Sequence, residues 1–352
     1  MKWSFNDPFV LFTGNAKDPA KLKMAKSAFH FRPESCVGVC SLPESTVDLS
    51  KEFPGLPELT IQEAVSKGAK SFVIGLVNNG GFIEAAWIPS IEEAMRAGLD
   101  SISGMHDKVD DCVTGNGQRL DEVAKESSVR IYNLRHYPEA ISVGNGERRS
   151  GKRVLMVGTD CGSGKMFTSL SLTQYLNQKK VSATFKATGQ CGILVSGNGI
   201  AIDAVGADFI SGAVEALSPV TEGIDIIEGQ GSVFHPAYAG VSLGLLHGAQ
   251  PDYLVLCHVA GRKKLSHFNQ DLPSLEACIT RNLELARDTN PDCQLLGISV
   301  NTQHLESDAA ARAYCEDLSK RYQCPSTDPY RFGPDSLEDM AAVLMKSTHN
   351  VS

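Results

Sequence analysis

Positive charge is in short supply in this chain. Its 33 Lys and Arg stand against 41 Asp and Glu, a net charge of −8. That argues against nucleic acid or an acidic membrane surface as a bulk partner, while leaving room for a local basic pocket for phosphates. Long apolar runs are also missing: nothing approaches the ~20 residues of a membrane span. The first eight residues, Met1 to Pro8, hold no apolar signal core, so a cytoplasmic protein is expected. Metal-site spacing is absent too. Cys36 and Cys40 share one strand-like run, but no second Cys/His pair has zinc spacing. The ten cysteines are therefore expected to be reduced and in part buried, and no metal is expected. There is no Gly-x-Ser-x-Gly and no Cys in a nucleophile pattern, which leaves a covalent Ser or Cys mechanism little support. No internal repeat or low-complexity tract is evident.

What is present points to two α/β domains. A chain of 352 residues exceeds one ordinary core. Strand-like runs at 8–14, 36–40, 71–77, 101–104 and 129–134 alternate with helical patterns at 19–29, 61–68 and 89–98. Such alternation implies a parallel sheet covered on both faces, with ligand-binding loops at one edge. The loops Asn78–Gly81 and Gly104–Asp107, with His106, are candidates to line a site there; turn chemistry is the competing explanation. The stretch 141–152 is polar, charged and Gly-containing and reads as a linker. The expected organisation is therefore an N-terminal domain at 1–140 and a C-terminal domain at 153–352.

The second domain opens on its most informative stretch. Val154–Val157 reads as a buried strand, Gly158–Gly164 as a Gly-rich turn, and Lys165 as the start of an amphipathic helix to about residue 180. That order makes a phosphate cradle: loop N–H groups and the positive helix end converge on an anion, and Lys165 adds a full charge. Two departures from the usual nucleotide loop stand out. Five residues, Thr159 to Ser163, separate the glycines where four are usual, and Met166 replaces the hydroxyl that ligates Mg²⁺. A thioether is a poor ligand for a hard cation, so attack on a γ-phosphate loses support.

Downstream, strands are expected at 181–185, 224–227, 252–259 and 295–300. Helices are expected at 201–217, 238–247, 273–287 (with Pro273 in its first turn), 307–322 and 337–346. Four strand ends carry functional groups: Asp160 with Lys165, Lys186 with Thr188, Glu228 with Gln230, and Asn301 with Thr302. A parallel sheet gathers such ends at one edge, so their convergence outweighs any one of them. Asp160 is unexpected inside an anion cradle. It needs a positive partner, Lys165 or Lys186, or a substrate amine. Glu228 could ligate a metal, act as a base, or cap its loop. His235, His258 and His267 are each candidate proton carriers, none decisive alone. Arg262, Lys263 and Lys264 read by default as a solvated charge run.

Gly158-Thr-Asp-Cys with Gly164-Lys-Met resembles the variant phosphate loop of dethiobiotin synthetase-like P-loop proteins. A fuller resemblance adds Ala187-Thr-Gly-Gln-Cys-Gly-Ile193, Glu228-Gly-Gln-Gly-Ser232, His235-Pro236, Leu245 to Pro251, Asp328-Pro329 and Arg331-Phe-Gly333. Together these resemble the D-glutamate N-acetyltransferase (DgcN-like) family, formerly of unknown function. The resemblance implies a Rossmann-like N-terminal domain and a P-loop NTPase-like C-terminal domain. It also implies transfer of acetyl from acetyl-CoA to D-glutamate or a similar D-amino acid, with Met166 as a family trait. On that reading Gly158, Thr159, Cys161, Gly162, Ser163, Gly164, Lys165, Met166, Phe167 and Asn301 hold coenzyme A. Asp160 and Glu228 are candidate bases for the amine. Lys165 and Gln230 are candidate oxyanion donors. Lys186, Thr188, Gln190, His235, Arg262 and Arg331 are candidates to bind the acceptor. A homo-oligomer is expected. The alternatives are an ATP-dependent ligase or kinase of the dethiobiotin synthetase type and a non-catalytic nucleotide-binding protein.

Overall fold

Phe9–Gly14 is apolar except for Thr13 and is buried along its whole length, as a strand covered on both faces must be. It is the first strand, β1, in a computed structural model that describes residues 2–78, 80–137 and 139–348. The chain divides into two units: Met1–Glu139 with Gly189–Ala204, and Ala140–Thr188 with Val205–Ser352.

In the first unit, β1 is joined by β2 (Cys36–Ser41), β3 (Ser71–Ile74), β4 (Asp100–Ser103) and β5 (Ile131–Asn133). The order is β2-β1-β3-β4-β5, with every pair parallel. The order reverses at β1, which sets the topological switch point between β1 and β3. The candidate loops at the ends of β3 and β4 bind one another. Asn78 Oδ1 accepts from the Phe82 amide at 2.9 Å, Asp107 from Ile83 N at 3.0 Å, and Gly81 O from His106 N at 2.8 Å. Their polar groups serve turn chemistry; Asn79 lies outside the described residues.

A second piece of chain completes this unit and was not expected. After Thr188 the backbone leaves the second unit, forms a helix at Gln190–Ser196 against the helix Lys23–Phe31, and returns at Val205. Trp3 N donates to Gly197 O at 2.8 Å, and Arg135 pairs with Asp203. A single crossing at 141–152 therefore does not describe the chain. The expected helix 201–217 breaks for the same reason: two 3₁₀ turns, Ile202–Ala204 and Ala207–Phe209, precede a helix at Ile210–Leu217.

The second unit holds β6 (Lys152–Gly158), β7 (Ala183–Lys186), β8 (Ile224–Ile227), β9 (Tyr253–Val259), β10 (Gln294–Asn301) and β11 (Ser326–Thr327). The order β11-β10-β9-β6-β8-β7 is again wholly parallel. It seats β6 between β8 and β9, so the loops after these three strands meet.

The helix Lys165–Gln178 packs on β6 and on the C-terminal helix Glu338–Thr348, through Leu172, Tyr175 and Leu176 against Met340, Ala341 and Leu344. It is less amphipathic than expected, because Thr168, Ser169 and Ser171 are buried alongside the apolar residues. Ser169 Oγ donates back to Lys165 O at 2.8 Å, and Thr168 and Ser299 share a hydrogen bond of 2.7 Å. Pro273 also falls outside its expected place. Ser274 caps the helix Leu275–Arg287, accepting from Ala277 N at 3.1 Å, and the proline precedes the cap. Among the described residues no disulfide joins any of the ten cysteines, and no helix is long and apolar enough to cross a membrane.

Candidate active site

The site grows from the end of β6. Gly162 and Gly164 take left-handed backbone conformations (φ +60° and +94°), which a side chain would strain. Gly164 is the N-cap residue and contributes no side-chain cap, so the loop and the first helical turn present backbone N–H groups at the positive end of a 14-residue helix. Lys165 is buried and folds into its own loop. Its Nζ donates to Asp160 O at 2.8 Å, Gly231 O at 2.9 Å and Ser163 Oγ at 3.3 Å. Burial pushes its ammonium pKa down, against the upward pull of Cys257, Cys161, Asp160 and Glu228. Ser163 Oγ donates to Asp160 O at 3.1 Å, and Phe167 packs edge-on to Tyr330.

The tip of β8 is tied to the end of β7. Thr188 N donates to Glu228 Oε2 at 3.0 Å, Thr188 Oγ1 to Glu228 O at 2.7 Å, and Gln230 Nε2 to Thr188 Oγ1 at 3.1 Å. Gly229 lies so close to β6 that a Cβ there would stand 1.7 Å from Met156 O. From β9, His258 Nδ1 meets Thr159 Oγ1 at 3.2 Å, and burial, aided by Arg262, drives its pKa down to about 4. His258 is therefore a neutral ring at neutral pH.

Asp160 does have a positive partner, but it is neither Lys165 nor Lys186. Arg262 reaches Asp160 Oδ2 at 3.0 Å and Cys161 O at 2.7 Å, and the amide and hydroxyl of Ser266 each donate to the same Oδ2 at 2.7 Å. Burial alone would raise this carboxyl. The Ser266 hydroxyl and amide, the Cys161 amide and Arg262 outweigh it and hold the pKa below the usual carboxylate value. A carboxylate so stabilised is a weak base, which counts against Asp160 as the proton acceptor. Asp160 Oδ1 and His235 Nε2 face each other at 4.0 Å, both buried, and neither has a hydrogen-bond partner among the described residues.

This pairing gives a test. Because the folded pKa is depressed, its stabilisation is present above the unfolded value of about 3.9 and is lost as the pH falls through the folded value. Arg262 is partly exposed and the Ser266 bonds would survive its loss, so Arg262→Gln is expected to cost about 2 kcal/mol at pH 7. The gap to wild type should shrink as the pH falls below about 3.9 and close only once it is below the depressed folded pKa of wild-type Asp160. Urea midpoints at the two pH values measure this; an equal cost at both would mean that the charge pair is not its origin.

Asp160, Lys165, Glu228, Gln230, Thr188, His235 and Arg262 are thus brought around one loop. Three expected site residues of the second unit are not. Lys186 pairs with Asp225 at 3.4 Å within the sheet. Arg331 binds Asp308, Thr302 O and Leu305 O, and Asn301 accepts from Gln303 N, so both serve loops after β10, which β9 separates from β6. Gln190 belongs to the first unit, where a Cβ on Gly104 would lie 2.7 Å from its Cγ. Ser266 was missed, since one serine in a polar loop carries no signal of its contact 106 positions away.

The chain is similar to known proteins over nearly its whole length. Residues 141–338 match the P-loop domain of unknown function DUF1611_C, and residues 42–137 match the Rossmann-like domain DUF1611_N. A D-glutamate N-acetyltransferase from a Pseudoalteromonas species is 46% identical over 333 residues, 94% of this chain and 97% of its own. Another from Tritonibacter scottomollicae is 40% identical over 340 residues, 96% of this chain and 99% of its own. The crystal structure of a DUF1611 family protein from Anabaena variabilis superposes with a TM-score of 0.84 at 27% identity, covering 96% of this chain and 99% of its own. With a match to the Rossmann-like model at 42–137, a match to the P-loop model at 141–338 and relatives that align over nearly the whole length, the chain belongs to the DUF1611 family.

Proposed function

We propose that this protein is an acyltransferase that moves the acetyl group of acetyl-CoA to the amino nitrogen of D-glutamate. The observation that carries the reading is the near-full-length likeness to two D-glutamate N-acetyltransferases, at 46% and 40% identity. The geometry is compatible with it. Coenzyme A carries a pyrophosphate and a further phosphate, which a loop of N–H groups backed by a helix terminus and Lys165 suits without cleavage at phosphorus. Hydrolytic use of the loop is poorly served. Met166 stands where the Mg²⁺-binding hydroxyl would be, and the next hydroxyl on the helix, Thr168, is buried in its bond to Ser299. Glu228, held by Thr188 beside Lys165, is the better placed of the two expected bases. Of the cations expected to hold the acceptor's carboxylates, Arg262, Lys186 and Arg331 are committed to other groups, while Lys263 in the Arg262 loop is exposed.

The test incubates the protein with D-glutamate and acetyl-CoA in the absence of ATP and Mg²⁺. Free thiol should appear, and the amino acid should gain the mass of one acetyl group. No turnover there, together with ADP formation when ATP and Mg²⁺ are supplied, would replace this reading with the ligase or kinase alternative.

A further inference from the structure

Two buried polar atoms at the site have no hydrogen-bond partner among the described residues. Asp160 Oδ1 and His235 Nε2 stand 4.0 Å apart, too far for a hydrogen bond, on side chains that are 0% and 1% exposed. Orphaned buried atoms are costly, and here two of them point at the same gap. Their chemistry is fixed by what their other ends bind. Asp160 Oδ2 is saturated by Ser266 and Arg262, so the carboxylate is ionised and Oδ1 can only accept. His235 Nδ1 accepts from the Ala237 amide at 3.2 Å, so the neutral ring carries its proton on Nε2, and Nε2 can only donate. These two atoms therefore offer the gap one donor and one acceptor.

The same two residues with Cys161 bring three potential ligand atoms within 4.8 Å of one another, a spacing that a cation could use. The tautomer opposes that use: to ligate a metal Nε2 must lose its proton, and an Nδ1–H would then confront the Ala237 N–H. Arg262 beside Asp160 adds like charge.

We propose that this pair is the binding site for the reacting amine and acetyl oxygen. Asp160 Oδ1 accepts an N–H of the attacking amine, and His235 Nε2–H donates to the oxygen on which negative charge develops. The assignment rests on the acetyltransferase reading above. The nitrogen and oxygen of a tetrahedral centre are geminal, so an acceptor and a donor set close together can hold both at once. In the step itself the ammonium first gives one proton to water. The neutral amine then forms the C–N bond, the C–S bond breaks, and the second N–H proton goes to the departing thiolate, giving the amide, the free thiol and one proton in solution. Tyr238 stacks on the His235 ring at 4.6 Å and Phe268 meets it edge-on at 5.0 Å, both partly exposed. These two rings fix the plane of the imidazole from two sides.

Three variants test the proposal. His235→Phe keeps a ring under Tyr238 but lacks the donor, and is expected to lower kcat about 100-fold or more with the acetyl-CoA Kd unchanged. His235→Gln restores an N–H donor without a titratable base and should recover at least about tenfold of that loss. Equal inactivity of both variants would make the imidazole a base and overturn the donor assignment, as would a His235→Phe enzyme with wild-type kcat. In Asp160→Asn the carbonyl must sit where Oδ2 does, which turns an NH₂ toward the gap in place of the acceptor. It should lose about tenfold or more in affinity for D-glutamate but none for glutarate, which lacks the amine. Absence of any preference for D-glutamate over glutarate in the wild type, or an equal loss for both, overturns the amine site. So does one equivalent of zinc retained by wild type and lost in His235→Phe. Absence of wild-type thiol release would instead count against the acetyltransferase reading, and the D-glutamate and glutarate affinities decide the amine site without turnover.

Discussion

Gly229→Ala is expected to be the most damaging single-atom change in the protein. The added Cβ would stand 1.7 Å from Met156 O and 3.0 Å from Lys165 Cδ. The first neighbour is a backbone carbonyl on β6, the strand paired with β8, and it has no rotamer by which to yield. The tip of β8 must therefore move away from the phosphate loop, taking Glu228 and Gln230 out of register with Lys165 and Thr188. Overpacking against a rigid partner should cost at least about 3 kcal/mol of stability. Whatever protein still folds should lose about 100-fold in kcat/KM through the displaced site. Thermal denaturation and steady-state assays of the purified variant check both. Wild-type Tm with wild-type kcat/KM would mean that the approach of the two strands is looser than described.

The second large effect is expected at Lys165. In the free protein its Nζ is held by Asp160 O, Gly231 O and Ser163 Oγ, so the loop's only ammonium is pre-positioned but occupied. A polyphosphate entering the loop offers charge-assisted bonds in exchange. Lys165→Ala should weaken acetyl-CoA binding about 100-fold, or about 2.7 kcal/mol, and raise its KM accordingly, with a smaller effect on the KM for D-glutamate. Titration of the coenzyme by calorimetry reads this directly. An unchanged Kd would show that the loop does not hold the donor. Some stability will also be lost, because the half-buried Gly231 O loses its Lys165 donor at about 1–3 kcal/mol while Asp160 O keeps Ser163 Oγ, so binding should be measured at a temperature where the variant is fully folded.

Much of this was legible in the sequence, for physical reasons that can be named. The strands of both sheets are short apolar runs closed by Gly or polar residues, a pattern that a doubly covered sheet requires. The phosphate loop declares itself because its backbone shape needs glycine at fixed places. Side-chain partners were harder to read. Lys186 ends a strand and looked aimed at the site, yet it lies beside Asp225 of the neighbouring strand, and register is not written in either strand alone. Arg262 sits in a run of three cations that resembles a solvated surface. Only the fold brings it to Asp160, 102 residues earlier. The excursion at Gly189–Ala204 left no compositional trace, because its apolar residues serve a core in either unit equally well.

That excursion makes the two halves of the protein inseparable. The backbone passes between the units three times, at 139–140, 188–189 and 204–205. No single cut yields two complete domains: a fragment ending in the linker lacks the helix Gln190–Ser196, and a fragment beginning there carries it with nothing to pack on. The middle crossing also falls one residue from Thr188, whose amide and hydroxyl fix Glu228. Thr188 is thus the last residue of the second unit before the excursion and also the residue that holds the acidic tip of β8 in place.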